Sequence, residues 1–261
     1  MTTPETLRRD GETLDTFFHG RVSVLQKKKG YRFSVDAPLL ADFVRTRAGD
    51  VALDLGTGSG IISLLLSVKS FRRIVAIEIQ EGLADMARRN VELNGLGERI
   101  EIVHADLRTY EPGRRFDLIF SNPPYIRKAV GFLSRSEEKS AAKHELNGDI
   151  EDIMEKAAAW LAPGGRACFV YPEKRRVDFA RGADRQGFRI HRFRQVLPRA
   201  SAPANLFLAE LGLAGGQDPA AGDIVAVRTA SKAVPEVMPP LVLFAPDGKY
   251  TEEAEAIFSG P

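Results

Sequence analysis

The chain is expected to fold as an α/β protein: a mostly parallel sheet with helices on both faces and a small β appendage at the N-terminus. Three observations predict this. Short runs that are apolar throughout, such as Val51–Leu55 and Phe116–Ser121, alternate with longer helical segments. That is the pattern of parallel strands buried on both faces by crossover helices. The first of these strands runs into Asp54-Leu-Gly-Thr-Gly-Ser-Gly60, a glycine-dense turn that opens a helix. Another ends in Asn122-Pro123-Pro124-Tyr125, and sheets of this kind bind ligands beyond the carboxyl ends of their strands.

The elements follow in order. Leu14 to Phe33 reads as the appendage, with β-like runs Val22–Leu25 and Tyr31–Phe33 around Lys27-Lys-Lys-Gly30, where Gly30 permits the turn. Asp36 reads as the N-cap of an amphipathic helix over Ala37–Arg47, with Pro38 in its first turn. The main strands are Val51–Leu55, Ile74–Glu78, Ile100–His104, Phe116–Ser121 and Ala167–Tyr171. Helices are expected over Gly60–Ser70, Gln80–Asn94 and Ile150–Leu161, with Asn94-Gly95 and Pro163-Gly164-Gly165 as stop signals. A basic helix, Lys174–Gln186, precedes two further strands, Phe188–Val196 and Asn205–Leu211. A loop over Ala214–Gly222 leads to a strand-like Leu241–Phe244, a turn at Pro246-Asp-Gly248 and a short acidic helix. Three sections result: an appendage over residues 1–48, the main domain over 49–213, and an extension over 214–261 packing on that same domain.

With 44% hydrophobic and 28% charged residues, the 261-residue chain has an ordinary globular composition. Met1–Gly11 contains no apolar signal stretch, and the longest nearly apolar run, Ile61–Val68, is too short to span a bilayer. A cytoplasmic protein with no membrane contact is the simple expectation. Cys168 is the single cysteine, which excludes internal disulfides and multi-cysteine metal sites, and no metal is expected. Its apolar neighbours mark it as a packed strand residue. The net charge of +2 hides an asymmetry: Gly165–Arg199 carries +7, whereas residues 200–261 carry −5. A concentrated positive field favours a polyanionic partner, because phosphate binding releases counterions; a solvated helix face is the plainer alternative.

The strand ends carry the chemistry. Gly56, Gly58 and Gly60 after Asp54 allow backbone amides to approach a ligand closely at a helix N-terminus. Their spacing differs from that of dinucleotide binders, and no Gly-Lys-Ser/Thr follows to make a phosphate loop. Glu78 can accept two ribose hydroxyls, and Ile79 can cover an adenine face. Asp106 can accept from an adenine amino group, with Leu107 packed on the base. Three acidic strand ends after a glycine turn point to S-adenosylmethionine rather than NAD.

An exocyclic amino group is a poor nucleophile, because its lone pair is delocalised into the ring. Asn122 and the carbonyl of Pro123 can accept its two N–H groups, which favours a pyramidal nitrogen. Pro123 and Pro124 stiffen the backbone and lack competing N–H donors, and Tyr125 offers a stacking face. The expected reaction is transfer of a methyl group to a planar amino nitrogen.

These motifs resemble the class I S-adenosylmethionine-dependent methyltransferases of the N-P-P-Y amino type. More narrowly, the chain is similar to the bacterial tRNA1(Val) adenine-37 N6-methyltransferases. That likeness rests on Gln26–Ala41, Asp54–Gly60, Ser121–Tyr125, Lys143-His-Glu-Leu146 and Asp247–Glu253. The resemblance implies a Rossmann-like seven-stranded sheet whose last strand is antiparallel. It implies that Asn122–Tyr125 hold the target adenine while Gly56, Gly58, Gly60, Glu78 and Asp106 hold the cofactor. It also implies that Asp36 closes over the cofactor's methionine end, beside its reading as a helix cap. The implied partner is tRNA. Lys27, Lys28 and Lys29 can reach phosphates or serve solubility alone, and His144 can contact RNA or begin a helix. The alternative substrates are a release-factor glutamine, whose carboxamide is another planar amino group, and another nucleic acid.

Overall fold

Residues 4–29, 34–123, 150–214 and 234–260 are described by the computed structural model of the protein. A four-residue helix, α1 (Pro4–Leu7), precedes strands β1 (Glu12–Phe17) and β2 (Val22–Lys27) and helix α2 (Asp36–Phe43). Strands and helices then alternate: β3 (Val51–Leu55), α3 (Ile61–Leu66), β4 (Arg73–Glu78), α4 (Glu81–Leu93), β5 (Ile100–His104), β6 (Phe116–Ser121), α5 (Ile150–Trp160), β7 (Leu161–Pro172). A short 3-10 turn leads into α6 (Arg176–Arg185), followed by β8 (Phe188–Leu197) and β9 (Leu206–Leu213). The chain closes with β10 (Glu236–Val237), β11 (Leu241–Val242) and α7 (Glu252–Ser259).

The principal strands lie in the order β5-β4-β3-β6-β7-β9-β8, all parallel except β9, which is antiparallel to both its neighbours. This is the expected seven-stranded arrangement, with β10 and β11 added parallel to the outer edge of β8. The runs that read as uniformly apolar are buried on both faces: every residue of β3 is buried, as are residues 74–78 and 118–121. Two apolar layers result. One joins α2, α3 and the hairpin residues Val22 and Val24 to Leu241, Ala254 and Ile257 of the C-terminal segment. The other joins α5 and α6 to Phe116, Phe169 and Phe207.

Several local expectations are corrected. The partner of β2 lies upstream, in β1, through a turn in which Phe18 and His19 both take φ of 54°. The expected partner, Tyr31–Phe33, and its turn residue Gly30 lie outside the described residues. β1 gave no apolar signal because only Glu12 in it is buried, and that carboxylate forms a two-bond ion pair with Arg89 at 2.7 Å each. Asp36 is the first residue of α2 rather than its cap: Val35 holds the cap position, with no side-chain cap bond. A carboxylate in the first turn is still favoured there by the helix dipole. α2 ends at Phe43, well before Arg47, and the Nζ of Lys69 donates to the carbonyls of Ala41, Asp42 and Val44 at 2.7–2.9 Å. Pro163-Gly164-Gly165 does not separate α5 from a later strand; β7 runs through it from Leu161, with a register shift opposite Phe116. A Cβ on Gly165 would lie 2.9 Å from the Ala162 carbonyl, so this irregular strand start depends on glycine.

The positive field expected of residues 165–199 is largely cancelled inside the protein. Arg166 pairs with Asp50 at 2.7 Å, Arg192 with Glu210 at 2.7 Å and Arg194 with Glu253 at 2.5 Å, all three arginines being buried. Arg192 also stacks over the Phe43 ring at 3.8 Å. Arg176, Arg185 and Arg189 have surface acidic partners. The basic stretch and the acidic C-terminal segment are therefore partly each other's partners, which a linear charge count does not reveal.

Candidate active site

The turn from β3 to α3 is built from the backbone outward. Gly56, Gly58 and Gly60 take φ of 74°, 61° and 86°, the left-handed region that side chains disfavour. The amides of Gly56 and Thr57 donate to the Ile77 carbonyl at 3.0 and 2.9 Å, laying the turn across the end of β4. The Gly58 amide donates to Glu78 Oε2 at 2.9 Å, while Glu78 Oε1 accepts from the Gln80 amide at 2.8 Å. Each Glu78 oxygen keeps a further lone pair, so the carboxylate retains capacity for a ligand's hydroxyls. Burial raises its pKa, against the lowering effect of these backbone bonds.

Asp54 organises this turn from within. Its Oδ2 accepts from Thr57 Oγ1 at 2.6 Å and Ser63 Oγ at 2.7 Å, tying strand end, turn and helix start together. The residue is fully buried, and burial pushes its pKa up to about 7, with the nearby Glu78 charge adding to the rise. Asp54 Oδ1 and Ser59 Oγ are buried and have no hydrogen-bond partner among the described residues. Such orphaned polar atoms beside a glycine cradle fit a site that completes its hydrogen bonds with a ligand.

Ile79 is half-buried after β4, and its carbonyl contacts His104 Nε2 at 3.0 Å. Leu107 is buried against the sheet. Asp106 stands just beyond β5, where Oδ1 accepts from the Arg108 amide and both oxygens accept from the Arg108 guanidinium at 2.6–3.0 Å. Those bonds lower the Asp106 pKa. To receive an adenine amino group, this carboxylate must turn from Arg108. Asp36 is buried at the start of α2.

At the neighbouring strand end, Asn122 is half-buried and Pro123 buried; Pro124 and Tyr125 lie outside the described residues, as does Lys143–Leu146. The two motifs are joined by a bond that sequence reasoning missed. Ser121 Oγ donates to the Leu55 carbonyl at 2.7 Å, locking the end of β6 beside the end of β3. Asn90 on α4 was also missed: its Nδ2 donates to the Ser59 carbonyl at 2.9 Å, and Ala87 packs on Gly60. The available signal was a pair of asparagines one helical turn apart, on a face otherwise made of Ala84, Ala87 and Val91.

A doubly wound sheet in this strand order, with a glycine turn and a buried strand-end carboxylate beside it, is the architecture of a class I S-adenosylmethionine-dependent methyltransferase. The chain belongs to the methyltransferase small domain family, whose model matches residues 32–180. It is 29% identical over 199 residues to the tRNA1(Val) (adenine(37)-N6)-methyltransferase of Vibrio cholerae, covering 76% of this chain and 82% of the relative. It is 30% identical over 195 residues to the Cronobacter sakazakii protein of the same name, covering 73% and 77%. In fold it is similar to an Agrobacterium tumefaciens protein described as a predicted O-methyltransferase. There the TM-score is 0.61 at 20% identity, over 85% of this chain and 94% of that one. Among the described residues, no helix is long and apolar enough to cross a membrane.

Proposed function

We propose that the protein methylates N6 of an adenine in tRNA, namely adenine 37 beside the anticodon of tRNA1(Val). The observation that carries this reading is the Ser121–Leu55 bond, which sets Asn122-Pro123 directly beside the glycine turn. The names of the relatives support the choice of nucleic acid and nucleotide. In this reading Gly56, Gly58, Gly60 and Glu78 hold the cofactor, Ile79 and Leu107 cover its adenine, and Asp36 lies toward its methionine end. Asp106 serves once freed from Arg108, and Asp54 keeps the turn in shape. Bound S-adenosylmethionine supplies a methyl group already activated on a sulfonium. The chain's task is therefore positioning rather than strong base catalysis.

Asn122 Oδ1 and the Pro123 carbonyl accept the two amino protons of the target adenine and aim its lone pair across the gap to the turn. Pro124 keeps that carbonyl rigid, and Tyr125 stacks on the ring, worth about 1–3 kcal/mol. An adenine in an anticodon loop enters such a pocket without the opening of a duplex.

The test is labelled methyl transfer to purified tRNA and to a release factor side by side, followed by mass spectrometry of the nucleosides. N6-methyladenosine in tRNA is the expected product. Label in the release factor alone would replace this reading with methylation of a glutamine carboxamide.

A further inference from the structure

Helix α4 treats strand β2 as a neighbouring strand would. A carboxamide has the donor and acceptor of a peptide group, and two of them stand one turn apart on this helix. Asn94 Oδ1 accepts from the Ser23 amide at 2.8 Å, and its Nδ2 donates to the Ser23 carbonyl at 2.7 Å. Asn90 repeats the pairing two residues on: Oδ1 accepts from the Leu25 amide at 2.6 Å, and Nδ2 donates to the Leu25 carbonyl at 3.2 Å. At Ser23 and Leu25 the outer edge of β2 is thereby closed by side chains, as the backbone of a further strand would close it.

The two asparagines differ in where their remaining donor goes. Asn94 spends it on the Asn90 carbonyl, within its own helix. Asn90 spends it on the Ser59 carbonyl, inside the Gly56–Gly60 turn. One fully buried NH2 group therefore serves both β2 and the turn, so a shift of β2 pulls on the donor that holds Ser59.

We propose that Asn90 is a positioning residue that couples the N-terminal hairpin to the cofactor turn, so that cofactor binding and the docking of β2 stabilise each other. The inference rests on the turn being the cofactor site. Linkage makes the coupling reciprocal: whatever the cofactor gains from a docked hairpin, the hairpin gains from the cofactor. Asn94 is the built-in control, because it holds the same strand from the same helix without touching the turn.

The deciding measurement is amide hydrogen exchange on the full chain with and without S-adenosylhomocysteine, alongside titration of its affinity. In the wild type, saturation slows exchange at the Leu25 amide. Asn94→Ala speeds exchange at Ser23 but leaves the affinity within about twofold. Asn90→Ala weakens the affinity about tenfold, inside the usual 5–150-fold range of coupling, and abolishes the ligand-dependent protection of Leu25. Unchanged Leu25 exchange on saturation of the wild type overturns the proposal without needing any variant to fold. Equal affinity losses in the two variants overturn it as well, because they show general loosening. A wild type that binds no cofactor overturns the cofactor reading and this inference together.

Discussion

Asp54 shows burial working against a charge that the turn uses. Its folded pKa of about 7 stands well above the ordinary 3.8, so the folded state holds a proton that the unfolded chain has already released. The stability this group contributes is therefore present below about pH 4 and is lost as pH rises through 7, at roughly 1.4 kcal/mol per pH unit across that window. Asp54→Asn removes the titration. The thermal midpoint of the wild type relative to this variant is expected to fall between about pH 4 and pH 7 and to level off above that; parallel profiles would show that the carboxylate titrates normally. Asn122→Ala is expected to lose methyl transfer while keeping cofactor affinity, because in the proposed mechanism its oxygen accepts from the target nitrogen and does not hold the cofactor. Gly58→Val is expected to lose both, since φ of 61° excludes a branched side chain. Near-full activity in Asn122→Ala would end the amino-group mechanism.

Among the elements, the hairpin depends most on charges hidden from a hydropathy reading. Arg89 holds both oxygens of Glu12, the Leu7 carbonyl and Asp85. Arg89→Leu leaves the Glu12 carboxylate buried without its partner and is expected to cost about 3–5 kcal/mol, read from urea unfolding. The start of β7 offers a second contrast. Gly165→Ala drives a Cβ to within 2.9 Å of a backbone carbonyl, whereas the nearest atoms that a Cβ on Gly212 meets belong to the ring of exposed His191. The first is expected to cost about 1–3 kcal/mol and the second clearly less, because His191 can swing into solvent. Pro163-Gly-Gly165 follows the end of α5 at Trp160 as a stop signal should, but β7 already starts at Leu161 and carries these residues in the irregularity between its pairs with Phe116 and Leu118, which only the pairing with β6 reveals.

Taken as a whole, the molecule spends most of its basic stretch on itself. Of the ten Lys/Arg in residues 165–199, only Lys174, Arg181 and Arg199 have no ion pair among the described residues. Arg192→Ala is therefore expected to lower stability without changing the salt dependence of tRNA binding. Lys28→Ala and Lys29→Ala, at exposed positions after β2, are each expected to reduce the slope of log affinity against log salt by about 1. An unchanged slope would remove these lysines from the RNA surface. The sequence by itself determined the sheet of seven principal strands and the two strand-end motifs, because strands buried on both faces must be apolar throughout and glycine turns must be spelled out residue by residue. Only the tertiary structure decided the partner of β2, the inward pairing of Arg166, Arg192 and Arg194, and the roles of Ser121 and Asn90. The β1–β2 hairpin is local but carries no apolar alternation to reveal it; the others are contacts between residues far apart in the chain, made by polar groups whose burial no local pattern records.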